Sequence, residues 1–376
     1  MPLTRRRMLA LTTAFAAAAG CARPAAPAPP PASAPPGPPD TPDALVDWIA
    51  ARPDRASLLV DDGRGTLVEH LADRPRPVAS ANKVVHLVAY AQAVAAGRLD
   101  PDGPVPVAAW EAWYVPSGAA TDTHPAAAQA LGAVPDGVVT WDGIAAVMID
   151  LSDNAAADLL RAELGDDALV AAAAATGWSP VELPCFAGEV LAFDAVPPGT
   201  DRPTAVLDAG RAYAGDPARR AAHAAAVRQA GATPTDDPTA GLDDPTLRAV
   251  LRWWDGSPAA AARQLAGVHR AAATDALGPE VSATVRRHLE RALTGRLPAG
   301  VLGAGQKGGN YAGLITNAFT LRRADGTTGL SVLSLSGLDR APYQELVASS
   351  AWLGLTQQVL LDPGLRDRLR AAVGGS

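Results

Sequence analysis

Lysine is almost absent from this chain. Its 376 residues contain two, Lys83 and Lys307, beside thirty arginines, so positive charge is otherwise written as guanidinium. An arginine keeps its proton in a protein, whereas a buried amine gives it up. The two surviving lysines are therefore candidates for places where a proton is to be moved or a compact charge docked, the alternative being that they simply escaped a bias that writes Arg wherever only charge matters. Cysteine is as scarce, with Cys21 and Cys185, and the six histidines show no HExxH or CxxC spacing. That points away from a disulfide framework and from a metal site. No basic block follows the N-terminus and the net charge is −7, which argues against nucleic acid as a partner. Nothing in the pattern calls for a cofactor.

What is plentiful is Ala, Gly, Pro and Arg. The first 44 residues begin with three arginines (Arg5–Arg7), continue with an apolar run and small residues up to Cys21, and pass into a Pro/Ala-rich stretch. An apolar run this short after a basic start is the layout of a cleaved export signal rather than of a membrane span. "TRRRML" resembles a twin-arginine signal and "AAGC" a bacterial lipobox, whose cysteine becomes the lipidated N-terminus. The expectation is a signal peptide over 1–20, a tether over 21–42 and a body over 43–376, exported and held to the outer face of the cytoplasmic membrane through Cys21, or otherwise secreted behind a plain signal in which Cys21 is incidental. Cleavage would take the net charge to −10. Cys185, left alone, is expected to be a small buried hydrophobe.

In the body, "DALVDWIAARP" has helical spacing, and "ASLLVDDGRGTLVEHL" reads as a hairpin turning at "DDGRG". "GLITNAFTLRRADGTTGLSVLSLSGL" is a second hairpin pattern, followed by an amphipathic helix over roughly Pro342–Leu361. Between the hairpins the periodicity is helical over Asn82–Ala96, Thr140–Asp150, Ala155–Leu164, Asp167–Thr176, Pro258–Ala273 and Pro279–Leu293. Strands at both ends and helices between them predict an α+β architecture, one antiparallel sheet assembled from the two chain ends and an inserted all-α subdomain. Residues 201–254, punctuated by Pro and Gly, look like an added helical insertion.

Ser80 stands three residues before Lys83 at the start of a helical pattern, a spacing that brings hydroxyl and amine to one face. An amine of lowered pKa there could turn the alcohol into a nucleophile. Ser152-Asp153-Asn154 sits between two helical patterns, where Ser or Asp also serves as an ordinary N-cap. Lys307-Gly308-Gly309 lies in a strand pattern whose edge could receive an extended substrate. "GAGQKG" formally fits GxGxxG but does not open a helix, so it is not read as a dinucleotide loop.

Ser-x-x-Lys, Ser-Asp-Asn and Lys-x-Gly in this order resemble the penicillin-recognising serine hydrolases, and within them the class A β-lactamase-like branch. The likeness runs over about residues 43–362. It implies Ser80 as acylated nucleophile, Lys83 as its base, Ser152 and Lys307 as the proton route to the leaving group, and Asn154 as a ligand of the substrate amide. The backbone N–H groups of Ser80 and of Asn310, beside Gly309, would form the oxyanion hole. The substrate would be a small-molecule amide, a β-lactam or a cell-wall peptide, and the chain a monomer. Trp110, Trp113 and Tyr114 could wall the cleft or simply pack, and His86 belongs to the core or the cleft lining.

Two features depart from that pattern. The family usually has Ser or Thr where this chain has Gly308, removing a hydroxyl that would bind a substrate carboxylate. The acid that activates the deacylating water stands in a Glu-x-x-Leu-Asn context, and here the counterpart is "LPCFAGEVLAF". Glu189 is either that base or a solvated loop acid.

Overall fold

The computed structural model describes residues 39–115, 124–183, 185–195, 202–222 and 256–374, with Ala249 and Trp253. The signal, Cys21 and most of the tether lie outside the described residues, as does most of 223–252. None of the described helices is long and apolar enough to cross a membrane, and no group of three or more potential metal ligands occurs among the described residues.

Helix α1 (Pro42–Ala51) starts at Thr41, whose hydroxyl accepts from the Ala44 N–H, with Pro42 in the first turn, a common start for a helix. Strands β1 (Ala56–Asp61) and β2 (Leu67–His70) form the first hairpin. The C-terminal half supplies β3 (Val301–Tyr311), β4 (Leu314–Arg323) and β5 (Thr328–Ser336). The order across the sheet is β2-β1-β5-β4-β3, antiparallel throughout, and β1 joins the chain ends by pairing Ala56 with Leu335 through Asp61 with Leu330. β3 is left as the outer strand.

Side chains alternate across a strand, and here the alternation separates two cores. Leu58, Val60, Leu333 and Leu335 join α1 and the C-terminal helices, while Leu59, Ala318, Leu330 and Val332 join the central helices. Burial on both faces explains why these strands carry apolar residues on both sides, and the polar ones between them, Ser57, Thr316, Asn317, Thr320, Ser331 and Ser334, are themselves buried. The centre of the second core is α2 (Lys83–Ala95), with Val84, Val85, Leu87, Val88 and Tyr90 all buried. A helix apolar all round can only sit inside. Around it pack α3 (Trp141–Asp150), α4 (Asn154–Leu164), α5 (Asp166–Ala174), α8 (Ala262–Ala273) and α9 (Pro279–Leu289). Helices α6 (Phe186–Ala195) and α7 (Arg202–Ala214) lie against each other. The β-lactamase-type architecture expected from the motifs, a sheet from both ends with an inserted helical part, is the one observed.

The C-terminus differs from expectation. The single helix foreseen over Pro342–Leu361 is two, α10 (Arg340–Ser349) and α11 (Ala351–Gln358), broken where Ser350 takes φ +57°. A further helix, α12 (Pro363–Ala372), follows, its first amides held by the Asp362 carboxylate.

Candidate active site

Ser80 sits in a 3-10 turn, Ala79–Asn82, that feeds directly into α2. Ala79 enters it at φ +45°. The turn places Ser80 at the positive end of a thirteen-residue helix. The turn is pressed against β3: a side chain on Gly309 would come within 2.5 Å of the Ser80 amide nitrogen and 2.7 Å of the Val78 carbonyl oxygen. Only glycine allows this approach.

Lys83, wholly buried, aims its amine at four acceptors: the Ser152 carbonyl and Asn154 Oδ1, both at 2.6 Å, Ser80 Oγ at 2.9 Å and Ser152 Oγ at 3.3 Å. The two shortest partners can only accept, so they fix two N–H groups. The remaining position of the nitrogen faces Ser80 Oγ, and in the neutral amine it is a lone pair. Burial first, then repulsion from Lys307, hold Lys83 well below the usual lysine value; Asp153 and Asp158 partly oppose this. The Phe186 ring lies 4.4 Å from Nζ and closes off water on that side.

Ser152 adopts φ +61° in the loop between α3 and α4, a strained position for a residue with a side chain. The cap of α4 is Asp153, which accepts from the Ala156 N–H at 3.1 Å and contacts His124 Nδ1 at 2.8 Å. Ser152 is thereby released from capping, and Lys307 Nζ donates to its Oγ at 3.0 Å. Lys307 also donates to the Gly308 carbonyl at 2.8 Å. Burial pulls Lys307 down to about 7, against the attraction of Asp150. Ser80, Ser152, Lys307, Gly308, Gly309 and Asn310 line an open cleft of about 270 Å³, with Asp150, Gln306, Leu289 and Trp352 among its other walls. Lys83 and Asn154 stand behind that surface, and the Asn154 oxygen is spent on Lys83.

Glu189 is not a loop acid. It lies in the first turn of α6, only 2% exposed, and Tyr311 at the end of β3 donates its hydroxyl to Oε2 at 3.2 Å. The solvated reading is overturned because α6 is a helix packed onto α4 and α7. The start of α6 is held by Asp158, whose buried carboxylate accepts from the Phe186 and Ala187 N–H groups at 3.0 and 2.7 Å. Burial nevertheless raises Asp158 to about 6. Trp110, Trp113 and Tyr114 do not line the Ser80 cleft: Trp110 and Tyr114 pack on His124, and Trp113 edges Tyr213 at a second cavity. His86 is core, pushed down to about 3 by burial. Cys185 is a buried free thiol, raised to about 12 by burial.

Phe186, Asp158, Tyr311 and Trp352 were not singled out by sequence reasoning. The Asp158 signal was there to read, as an acid on the apolar side of "NAAADLL".

Comparisons with known proteins bear on the same region. A family model described as a beta-lactamase enzyme family matches residues 42–212, a span that holds Ser80, Lys83, Ser152, Asn154 and Glu189 and stops short of Lys307. No curated protein sequence matches this chain. Among solved structures, it is similar to the class A β-lactamase of the last common ancestor of Gram-negative bacteria, with 18% identity, 85% of this chain and 99% of that one covered, and a TM-score of 0.51. It is also similar to the β-lactamase of Sphaerobacter thermophilus, with 17% identity, coverage of 85% and 97%, and a TM-score of 0.52. A third likeness is to PBP-A, with 14% identity, coverage of 84% and 96%, and a TM-score of 0.50. Likenesses at these identities speak of architecture, and the chain has the β-lactamase/transpeptidase-like fold.

Proposed function

We propose that this protein is a serine hydrolase that works through an acyl-enzyme on Ser80, with β-lactams as the leading substrates. The observation that carries this reading is the unbroken relay Ser80 Oγ–Lys83 Nζ–Ser152 Oγ–Lys307 Nζ, with links of 2.9, 3.3 and 3.0 Å, opening on one cleft. Neutral Lys83 takes the proton of Ser80 as Oγ bonds to the substrate carbonyl carbon. The backbone N–H groups of Ser80 and Asn310 receive the developing oxyanion. As the C–N bond breaks, the proton passes through Ser152, steadied by Lys307, to the leaving nitrogen. Glu189 then draws a proton from the water as its oxygen bonds to the ester carbon, the bond from that carbon to Ser80 Oγ breaks, and the proton passes on to Oγ, returning Ser80 and releasing an acid.

Two buried amines of lowered pKa support the base and relay roles, because an ordinary lysine would be protonated at neutral pH. A second reading is D,D-carboxypeptidase-like or esterase action on cell-envelope material; Gly308, which offers no hydroxyl to a substrate carboxylate, counts against β-lactams and D-Ala-terminated acids alike. A third keeps the fold as a binding module with little turnover. Export, lipidation at Cys21 and a monomeric state belong to the same proposal. Metabolic labelling with a palmitate analogue, lost in Cys21→Ala, tests the anchor.

The deciding experiment is intact-protein mass spectrometry of residues 43–376 after brief exposure to a fluorescent penicillin, beside Ser80→Ala. An adduct on wild type alone supports the nucleophile and a slow enzyme. Rapid hydrolysis without an adduct, lost in Ser80→Ala, supports a β-lactamase. Neither adduct nor hydrolysis, with the ester probes described below equally inert, leaves the binding module.

A further inference from the structure

Gly308 lies at the centre of the cleft's strand wall, and the volume beside it is taken. A side chain at this position would come within 2.8 Å of Trp352 Cη2, 2.9 Å of its Cζ3 and 3.2 Å of Asn317 Oδ1. Trp352 comes from the first turn of α11, lines the cleft beside Lys307 and Gly308, and is only 9% exposed. Its Nε1 is buried, so the indole presents carbon to this part of the wall. Asn317 turns Nδ2 to Thr356 Oγ1 at 2.7 Å, leaving Oδ1, an acceptor, under Gly308. The floor of this part of the cleft therefore offers neither N–H nor O–H.

The charges agree. Among the described residues lining the cleft, the charged ones are Asp150 and Lys307. The Asp150 carboxylate is bonded to Arg291 Nε at 2.7 Å, and a second guanidinium nitrogen completes the pair. The Lys307 N–H groups are directed at Ser152 Oγ and the Gly308 carbonyl. A free carboxylate brought here would be desolvated against indole carbon and beside the paired Asp150 carboxylate, and Lys307, the cation among the described lining residues, already directs two of its N–H groups elsewhere. The side-chain amides of Gln306 and Asn310 also line the cleft; Gln306 Oε1 accepts from Gln357 Nε2 at 3.2 Å, and the amide groups left over suit the dipole of a neutral ester or amide.

We propose that Trp352, by filling the space beside Gly308, sets this cleft for acyl donors that carry an ester or amide, rather than a free carboxylate, next to the scissile bond. The inference rests on Ser80 acylation as proposed above and names the substrate class of that site. Bond making and breaking are unchanged: Ser80 Oγ bonds to the carbonyl carbon, the C–N bond breaks and the leaving nitrogen takes the proton, while the neighbouring ester or amide is a bystander.

The test compares one chromogenic cephalosporin as its free acid and as its methyl ester, following acylation by stopped-flow absorbance and by intact mass. Wild type is expected to acylate with the ester about tenfold or more faster, the scale of one missing charge-assisted hydrogen bond. Equal rates, or a faster acid, overturn the proposal and leave the Ser80 reading standing. Failure of both probes to acylate Ser80 overturns the reading beneath it as well. In Trp352→Ala combined with Gly308→Thr, a hydroxyl gains the vacated space, and the ester-to-acid ratio is expected to fall about tenfold. An unmoved ratio in a folded double variant removes Trp352 as the determinant, and the wild-type ratio stands as a test even if that variant does not fold.

Discussion

The helical wall of the cleft and its strand wall each hold one of the two lysines, under different constraints. Lys83 is packed against Phe186 and surrounded by acceptors from the Ser152 loop and α4, so its orientation is set from several directions. Lys307 lies on the outer strand, its amine divided between Ser152 and its own neighbouring carbonyl. In the proposed reaction the helical wall holds the base against the nucleophile, and the strand wall offers the relay and the docking surface. The difference also separates the two half-reactions. The side chains assigned to acylation in that reaction are linked at hydrogen-bond distance, whereas release of the acyl group is assigned to Glu189, on another helix, bonded by Tyr311.

The largest effect should come from the helical wall. Lys83→Met keeps the length of the side chain and drops the amine, so acylation of Ser80 is expected to slow by about 10³-fold, within the span of a lost general base. Stopped-flow acylation against pH adds a sign: wild type gains rate as Lys83 loses its proton, and Lys83→Met loses that rise. A fast Lys83→Met enzyme would move the base elsewhere. Next is Glu189→Gln, expected to leave acylation intact and slow deacylation about 10²-fold, so that mass spectrometry finds a lasting acyl-enzyme. Unchanged turnover would detach Glu189 from the water.

The residues that meet at the cleft were legible because nearly all of them stand in short motifs: Ser80 with Lys83 is a matter of helical spacing, and Lys307 stood out for being a lysine. The sheet was legible from two hairpins whose turns carry Asp and Gly. What surrounds the motifs was not. Phe186 reaches Lys83 from a helix a hundred residues on, and α6 itself has too little periodicity to announce a helix, because its faces are covered on several sides. Trp352 belongs to α11, split from α10 by a left-handed Ser350 that no residue preference foretells. The clash that requires Gly308 appears only when α11 is laid beside β4. The motifs name the residues that meet, and tertiary packing decides how they are held.

Asp158 probes that holding. Its carboxyl is 3.8 when free and about 6 in the folded chain, so the folded state favours the protonated form. Stability tied to this group is present below about pH 4 and is lost as pH rises through about 6, a change on the order of 3 kcal/mol by linkage. Thermal unfolding from pH 4 to 7 is expected to show a decline in wild type that flattens in Asp158→Asn. Parallel curves would mean that Asp158 is not protonated where burial places it.

The smallest effect should come from the strand's far end. Tyr311 touches Glu189 through one neutral-to-carboxylate hydrogen bond at 3.2 Å. Tyr311→Phe removes the donor and keeps the ring, and one such bond is worth about 1.5 kcal/mol, or roughly tenfold in rate. The loss is expected in deacylation alone, because Ser80, Lys83, Ser152 and Lys307 make no contact that passes through this hydroxyl. Measured by single turnover, an equal slowing of both steps would mean that the end of β3 positions the nucleophile, through the close approach of Gly309 to the Ser80 amide, and that Tyr311 serves the whole cleft rather than its water.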